Sequence, residues 1–360
     1  MIVYIVTFIA VYMLSAYVSS CEKHLDKKNR IQYNTSGKIA IFICALILIF
    51  VSGFRYYVGT DYGEYFYNYA DKRDNWLLAL QNFNEPGLNI LAKIGSWFYD
   101  SPVVLFILAA IITIWLCVST IRKYSSDFCF SMLLFILLGC YQGSFNGIRQ
   151  YLAMSILFAG HQFIANKKLW KYIFIVFLAF CFHKSAIIMF PVYFVAQSRL
   201  SLKTVFIVIV SAILIRFSYD SLLSGFSFLR GEEKDYDFSY FYSAVNPLRV
   251  FVTFAPLVVT LFGKKANHFQ KYKDKFQFYL MFSVINAGLS FATIQSTYLA
   301  RATIYTEVYA TLMYPELIGS FYERDKRILK VVILILFLIY WLYSIYATDL
   351  IPFRWVFGNV

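Results

Sequence analysis

Apolar stretches separated by short polar connections run along almost the whole chain. A helix that crosses about 30 Å of hydrocarbon needs roughly 20 apolar residues, although tilt and neighbouring helices relax this limit. The pattern predicts an all-α, polytopic membrane protein with a single transmembrane domain over residues 1–360. It has about twelve spans, near residues 2–20, 38–54, 102–120, 128–142, 147–165, 169–182, 185–198, 203–219, 247–263, 276–295, 302–320 and 328–347. Because two candidates are short and one is interrupted by polar residues, eleven or thirteen spans also fit the pattern.

The composition excludes a soluble globular protein. Hydrophobic residues make up 60% of the chain and charged residues 15%, which leaves too little polar surface to cover a particle of this size in water. The formal net charge is +13, but the basic residues lie in short clusters between apolar stretches rather than in a separate domain. Nucleic acid is therefore not a predicted partner.

Lysine and arginine are concentrated in every other connection between the predicted spans. Six alternate connections hold 21 of the 33 basic residues. Cytoplasmic connections carry this excess in membrane proteins, so the pattern predicts that both termini and the remaining connections lie outside the cytoplasm.

Two of the predicted external connections are long. Residues 55–101 are rich in aromatic and acidic side chains, and their leucines alternate with polar positions. This spacing predicts a half-buried external loop of short interfacial or re-entrant helices. Residues 219–247 form a second external loop that carries charged residues and tyrosines. A loop of this kind is suited to gate a cavity.

Charged residues collect at the predicted external ends of the spans. An ionised group in hydrocarbon costs at least about 2.5 to 3.5 kcal/mol, so each one requires a partner or a ligand. Guanidinium groups bind phosphate oxygens bidentately, which predicts a diphosphate-binding set. Its members are Arg149, Arg55, Arg301, Arg249 and Lys184, and Arg216 lies at the same side. The alternative for each arginine is to extend to the membrane interface or to pair with a nearby carboxylate.

Three residues in this region are candidate catalytic groups. His183 has an ordinary imidazole pKa near neutrality, and Asp61 and Glu85 are carboxylates in a predicted half-buried site. The alternatives are a histidine bonded to a neighbouring helix and an aspartate that caps a helix starting at Tyr62. The sequence contains no metal-ligand or nucleotide-binding motif, so we predict neither a metal nor a cofactor.

Four short motifs, taken together, resemble the EpsG branch of the Wzy-type polysaccharide polymerases. They are RYYVGTDYGEY (Arg55–Tyr65), EPG (Glu85–Gly87), FNGIRQYLA (Phe145–Ala153) and FHKSA (Phe182–Ala186). Beyond them, Arg301 and the tail IPFRW (Ile351–Trp355) are similar to the family pattern.

The resemblance implies a GT-C-like glycosyltransferase of the bacterial cytoplasmic (inner) membrane that makes O-antigen, capsule or exopolysaccharide. Its donor and acceptor are oligosaccharides on undecaprenyl diphosphate, and membrane lipid and a chain-length regulator protein are further expected partners. Arg149, Arg55 and Arg301 then stabilise the leaving diphosphate, His183 or Asp61 deprotonates the acceptor, and Glu85 orients a sugar or an arginine. Candidate sugar-binding residues in the motifs are Tyr62, Tyr65, Asn146 and Gln150.

Three other functions remain open from the sequence. A flippase or exporter of lipid-linked oligosaccharide, an O-antigen ligase and a membrane sugar O-acyltransferase each need a basic site among apolar helices. A transporter predicts costly charges throughout the bundle and a pseudo-symmetric fold, whereas here these charges lie towards one leaflet.

Overall fold

The computed structural model describes residues 1–26, 30–198, 200–218, 245–263, 273–348 and 350–357. These residues are mostly helical, and a short antiparallel pair of strands, β1 (Lys23–Leu25) and β2 (Ile31–Tyr33), connects the first two helices. The helices are α1 (Ile2–Ser20), α2 (Thr35–Gly53), α3 (Tyr62–Tyr67), α4 (Tyr69–Asp74), α5 (Trp76–Gln81), α6 (Pro86–Ser96), α7 (Pro102–Tyr124), α8 (Phe128–Leu137), α9 (Cys140–Gly143), α10 (Ile148–Ala159), α11 (His161–Ala165), α12 (Leu169–Phe180), α13 (Met189–Ala196), α14 (Leu202–Phe217), α15 (Pro247–Gly263), α16 (Lys273–Ala292), α17 (Thr297–Ala300), α18 (Ile304–Glu307), α19 (Ala310–Gly319) and α20 (Glu323–Tyr346), with 3-10 turns at Lys184–Ile188 and Arg301–Thr303.

Four helices in the described ranges, α1, α2, α7 and α20, are long and apolar enough to cross a membrane. Shorter apolar helices include α8, α10 and α12. The side chains Ile2, Leu336 and Ile339 on α1 and α20 are 78%, 59% and 61% exposed, which is the surface that lipid covers in a membrane protein. The prediction of a helical membrane protein is confirmed at this level, and the count of about twelve spans stays a prediction.

Several predicted spans are interrupted in ways that the apolar pattern does not reveal. Gly139, at φ +82°, separates α8 from α9 within the predicted span 128–142. A Cβ at Gly160, between α10 and α11, would lie 2.6 Å from the Ile175 side chain. Glycine permits the left-handed backbone conformation at residue 139 and the close approach of Ile175 at residue 160. The predicted span 302–320 is likewise divided among several short elements.

The core is centred on α8, all ten residues of which are buried. This helix packs against α1, α19 and α20. A second apolar cluster joins the segment 55–101 to the bundle, with Tyr62, Leu88 and Ala92 against Phe106 of α7 and Leu152 of α10. The segment contains four short helices, α3 to α6.

The external position of residues 55–101 stays a prediction. Residues 219–244 of the second predicted external loop lie outside the described residues, together with its charged residues and tyrosines.

The C-terminal tail pairs with the residues that follow α2. The Tyr56 amide donates to the Arg354 carbonyl and the Val356 amide to the Phe54 carbonyl, each at 2.9 Å. The tail therefore contributes to the surroundings of the first sequence motif.

Candidate functional site

The Glu85–Gly87 motif is held against the turn that follows α12. Glu85 has a left-handed backbone conformation with φ +50°. The Gly87 amide donates to the Cys181 carbonyl at 2.8 Å. A Cβ at Gly87 would lie 2.7 Å from the Phe182 ring, so glycine permits this close approach. Two motifs that are almost 100 residues apart in the chain therefore meet here.

This contact places the Glu85 carboxylate between two basic segments. Its Oε2 atom pairs with Arg149 Nη1 at 2.5 Å, and its Oε1 atom accepts a hydrogen bond from the Lys184 amide at 2.8 Å. Nδ1 of His183 is 3.9 Å from the same Oε1 atom. Because both carboxylate oxygens have partners, Glu85 is placed to orient Arg149 and the His183–Lys184 turn.

A second close approach positions Asp61. Gly59 has φ +102°, and a Cβ there would lie 2.5 Å from Asn146 Oδ1. The Thr60 amide donates to the same oxygen at 3.0 Å, so part of the Asn146 amide is already bonded within the protein. Asp61 precedes α3 without a side-chain capping bond, and its Oδ2 atom lies 4.0 Å from Arg301 Nη1.

A cavity of about 220 Å³ lies among these motifs. We call it the arginine pocket, and its lining residues are Asp61, Glu64, Tyr65, Gly147, Arg149, Gln150, His183 and Arg301. It brings two guanidinium groups, two carboxylates and one imidazole around a single volume. The arrangement is suited to bind an anion and to accept a proton beside it.

The hydrogen bonds of His183 define its tautomer. The Ser185 amide donates to Nδ1 at 3.2 Å, so in the neutral ring Nδ1 carries a lone pair and Nε2 carries the hydrogen. The Ser185 hydroxyl bonds Nδ1 at 2.8 Å and the Tyr305 hydroxyl at 2.8 Å. Burial lowers the pKa of His183. The ring is therefore neutral near pH 7, and its remaining polar group is an N–H donor.

Gln150 connects the motif on α10 to the Arg301 turn. Its Nε2 atom donates to the Arg301 carbonyl at 3.0 Å and lies 3.4 Å from the Ser185 hydroxyl. Its Oε1 atom is buried and has no hydrogen-bond partner among the described residues. Gln150 thus holds the position of Arg301 and still presents one acceptor.

The structure does not place Arg55 in the arginine pocket. Arg55 is 2% exposed, and its guanidinium donates to the Val58 carbonyl at 3.2 Å, to the Phe145 carbonyl at 3.0 Å and to the Ser52 carbonyl. These three backbone acceptors, rather than a ligand or a carboxylate, satisfy its donors. Arg55 therefore joins the end of α2 to the loop before α10.

Two further arginines also lie away from this pocket. Arg249 Nη2 is 4.0 Å from Glu307 Oε2, and Arg216 lies over the Phe291 ring at 5.5 Å. Arg249 thus has a carboxylate partner, which is one of the alternatives that the sequence left open, whereas Arg216 lies against an aromatic ring. Of the predicted arginines, Arg149 and Arg301 line the arginine pocket.

Tyr65 lines the arginine pocket, whereas Tyr62 and Lys184 are not among its lining residues. Tyr62 is fully buried and stacks on Phe106 with ring centroids 4.2 Å apart, so its ring face is covered by protein. Lys184 Nζ donates to Asn84 Oδ1 at 3.0 Å.

Sequence reasoning did not single out Ser185 or Tyr305, and it considered Glu64 only as a possible carboxylate partner of an arginine. Glu64 is in the first motif and lines the pocket, and Ser185 is in the FHKSA motif. Tyr305 lies four residues after Arg301, at a spacing that returns a helical side chain to one face. The signal that could have identified these three residues is their short distance in the sequence from charged residues of the motifs or from Arg301.

In the part of the chain that the structure describes, no group of three or more His, Cys, Asp or Glu side chains is arranged to hold a metal ion. Two of the charged groups that line the arginine pocket, Arg301 and Asp61, lie 4.0 Å apart.

The model of the EpsG family matches residues 38–355, which span all four motifs and the tail. The chain belongs to the EpsG family. Membership in the EpsG family, together with the apolar helices, indicates a membrane protein of polysaccharide biosynthesis. No curated protein and no solved structure matches the chain.

Proposed function

We propose that the protein polymerises oligosaccharide repeat units carried on undecaprenyl diphosphate, at the outer face of the cytoplasmic membrane. The product is O-antigen, capsule or exopolysaccharide, and the fold is GT-C-like. The observation that carries this proposal is the arginine pocket, where Arg149 and Arg301 lie with Asp61 around one cavity. Family membership supports the coarser class, and the alternating basic connections support the outer location.

Arg149 and Arg301 bind the diphosphate of the donor. The Arg149 guanidinium holds Glu85 through Nη1, and its Nε atom is buried with no hydrogen-bond partner among the described residues. Arg301 is 39% exposed at the side chain and lies 4.0 Å from Asp61. Both groups retain donors for phosphate oxygens, and their charge stabilises the pyrophosphate as it leaves without a requirement for a metal ion.

Asp61 is the general base in this proposal. A hydroxyl oxygen of the acceptor attacks the anomeric carbon of the donor, and the bond from that carbon to the diphosphate oxygen breaks. The bonding electron pair leaves with undecaprenyl diphosphate, while the hydroxyl proton passes to Asp61. The Asp61 carboxylate lines the pocket and is 24% exposed, so it can meet the acceptor.

The other two candidates are less suited to accept this proton. Both oxygens of Glu85 are engaged by Arg149 and Lys184. The lone pair of His183 is directed to Ser185, and the free position of the ring carries hydrogen. His183 therefore donates a hydrogen bond to a sugar or phosphate oxygen and holds it in place.

The test compares Arg149→Ala and Arg301→Ala with Arg73→Ala in a strain that lacks the chromosomal copy. Arg73 is a matched control because it pairs with Asp74 at 2.8 Å and Asp100 at 2.5 Å, and it does not line the pocket. We expect each pocket variant to reduce polymer yield by about 100-fold and to leave single repeat units. Wild-type polymer length and yield from Arg149→Ala at normal expression would refute the proposal.

A deletion strain separates the alternative functions. Loss of a polymerase leaves single repeat units on the acceptor lipid. Loss of a flippase leaves none outside, loss of a ligase accumulates long chains on undecaprenyl diphosphate, and loss of an acyltransferase leaves normal chain lengths. A chain-length regulator would be identified separately, by its effect on the length distribution in the wild-type strain.

A further inference from the structure

A second cavity of about 320 Å³ lies beside the arginine pocket. Four asparagines line it, together with an acidic and a basic residue on α4; these six are Asn75, Asn82, Asn84, Asn89, Asp71 and Lys72. We call it the asparagine pocket. Arg149 lines both cavities, and its partner Glu85 lines the asparagine pocket. The Arg149–Glu85 ion pair is therefore part of the wall between the two volumes.

The amides of this pocket are partly oriented by the protein and partly free. Asn75 Nδ2 donates to Asp71 Oδ1 at 2.6 Å, and Asn84 Oδ1 accepts from Lys184 Nζ at 3.0 Å. The side chains of Asn82 and Asn89 have no hydrogen-bond partner in the described ranges. The pocket thus presents fixed amide groups next to groups that are available to a ligand.

This chemistry matches a saccharide. An amide group both donates and accepts hydrogen bonds, as does a sugar hydroxyl. The positive charges of Lys72 and Arg149 are balanced by Asp71 and Glu85, so the charged groups of the lining carry no net charge. Leu78 and Ala79 complete the lining beside these polar groups. The volume is at the lower end of the range for small-molecule sites.

We propose that the asparagine pocket binds a hydroxyl-rich sugar residue of the repeat unit and selects which repeat unit is polymerised. This inference rests on the proposed function, because it places a sugar across the Arg149–Glu85 wall from the diphosphate. It adds Asn82 and Asn89 as specificity-determining residues, which none of the sequence motifs includes.

The experiment measures binding without polymerisation. The probe is the free oligosaccharide that mild acid releases from the lipid-linked repeat units of the host strain. Its binding to the purified full-length protein in nanodiscs is followed by saturation-transfer NMR. The variants are Asn82→Ala and Asn89→Ala, and the matched control is Asn68→Ala, an exposed asparagine of the same segment that does not line the pocket.

We expect Asn82→Ala and Asn89→Ala each to weaken binding by about tenfold, with melting temperatures equal to that of the wild type, and Asn68→Ala to bind normally. Unchanged binding by both pocket variants, an equal loss in Asn68→Ala, or no binding by the wild type would each overturn the inference. Failure of the proposed function gives a different result, because Arg149→Ala would then keep normal polymer whatever the asparagine variants bind.

Discussion

Arg55→Lys distinguishes a structural arginine from a ligand-binding arginine. The Arg55 guanidinium donates to three backbone carbonyls and lies 4.8 Å from the Phe145 ring centroid and 5.1 Å from that of Phe106. A lysine keeps the positive charge, but its donors all lie on one ammonium nitrogen. It therefore cannot replace a planar guanidinium whose separate nitrogens donate to carbonyls on different elements. Two of the three bonds are lost, at about 1.5 to 3 kcal/mol each for a charged donor.

The expected destabilisation is therefore roughly 3 to 6 kcal/mol. It is measured as a fall in the melting temperature of the detergent-solubilised protein, followed by the loss of its monodisperse elution peak. The matched variant is Arg149→Lys. Arg149 has a side chain that is 34% exposed, so we expect a melting temperature close to that of the wild type together with a loss of polymer.

The two variants should therefore separate stability from activity. If Arg55→Lys has the wild-type melting temperature and yet makes no polymer, Arg55 acts on the ligand, and the structural assignment is wrong. If Arg149→Lys melts as early as Arg55→Lys, its loss of polymer carries no information about diphosphate binding.

The remaining predictions concern the His183 and Gly87 turns. His183→Gln, whose amide N–H replaces the Nε2–H donor, should keep at least about tenfold more polymer-forming activity than His183→Asn; equal and complete loss in both would instead support a general base. Burial and the nearby Arg149 and Arg301 lower the pKa of His183 while Glu85 raises it, and the net direction is down. The neutral ring is therefore favoured at pH 7.5, and the midpoint of an acidic loss of activity that reflects this ring, measured in membranes, should lie below pH 6.5; a midpoint above pH 6.5 would contradict the lowered pKa. Gly87→Ala should displace Phe182 and reduce both stability and polymer yield, whereas Gly63→Ala, where a Cβ has 3.8 Å to its nearest neighbour, should leave both unchanged.

The apolar pattern predicted much of the helical architecture, because the length and hydropathy of a spanning helix are local properties of the sequence. It did not predict the break at Gly139 or the division of the region around Arg301, since these depend on backbone conformations that other elements stabilise. Glu85, Arg149 and His183, which belong to three different motifs, lie close together in the structure.

Residue type alone did not separate Arg149 from Arg55. Both are arginines at the end of an apolar stretch, and the sequence gives no sign that backbone carbonyls satisfy one of them. The asparagine pocket was missed for a similar reason, because solvated asparagines in a loop and asparagines around a cavity have the same local pattern.

The Arg149–Glu85 ion pair borders two cavities, and this has a thermodynamic consequence. Under the proposed assignments, a pyrophosphate that draws the Arg149 guanidinium towards itself weakens its ion pair with Glu85. The Glu85 carboxylate then has a different charge environment in the asparagine pocket. Whatever change in saccharide affinity results, linkage requires that the saccharide changes pyrophosphate affinity by the same factor. Under the proposed assignments, the dissociation constant of the pyrophosphate in the arginine pocket then depends on whether the asparagine pocket is occupied. The reverse holds for the saccharide.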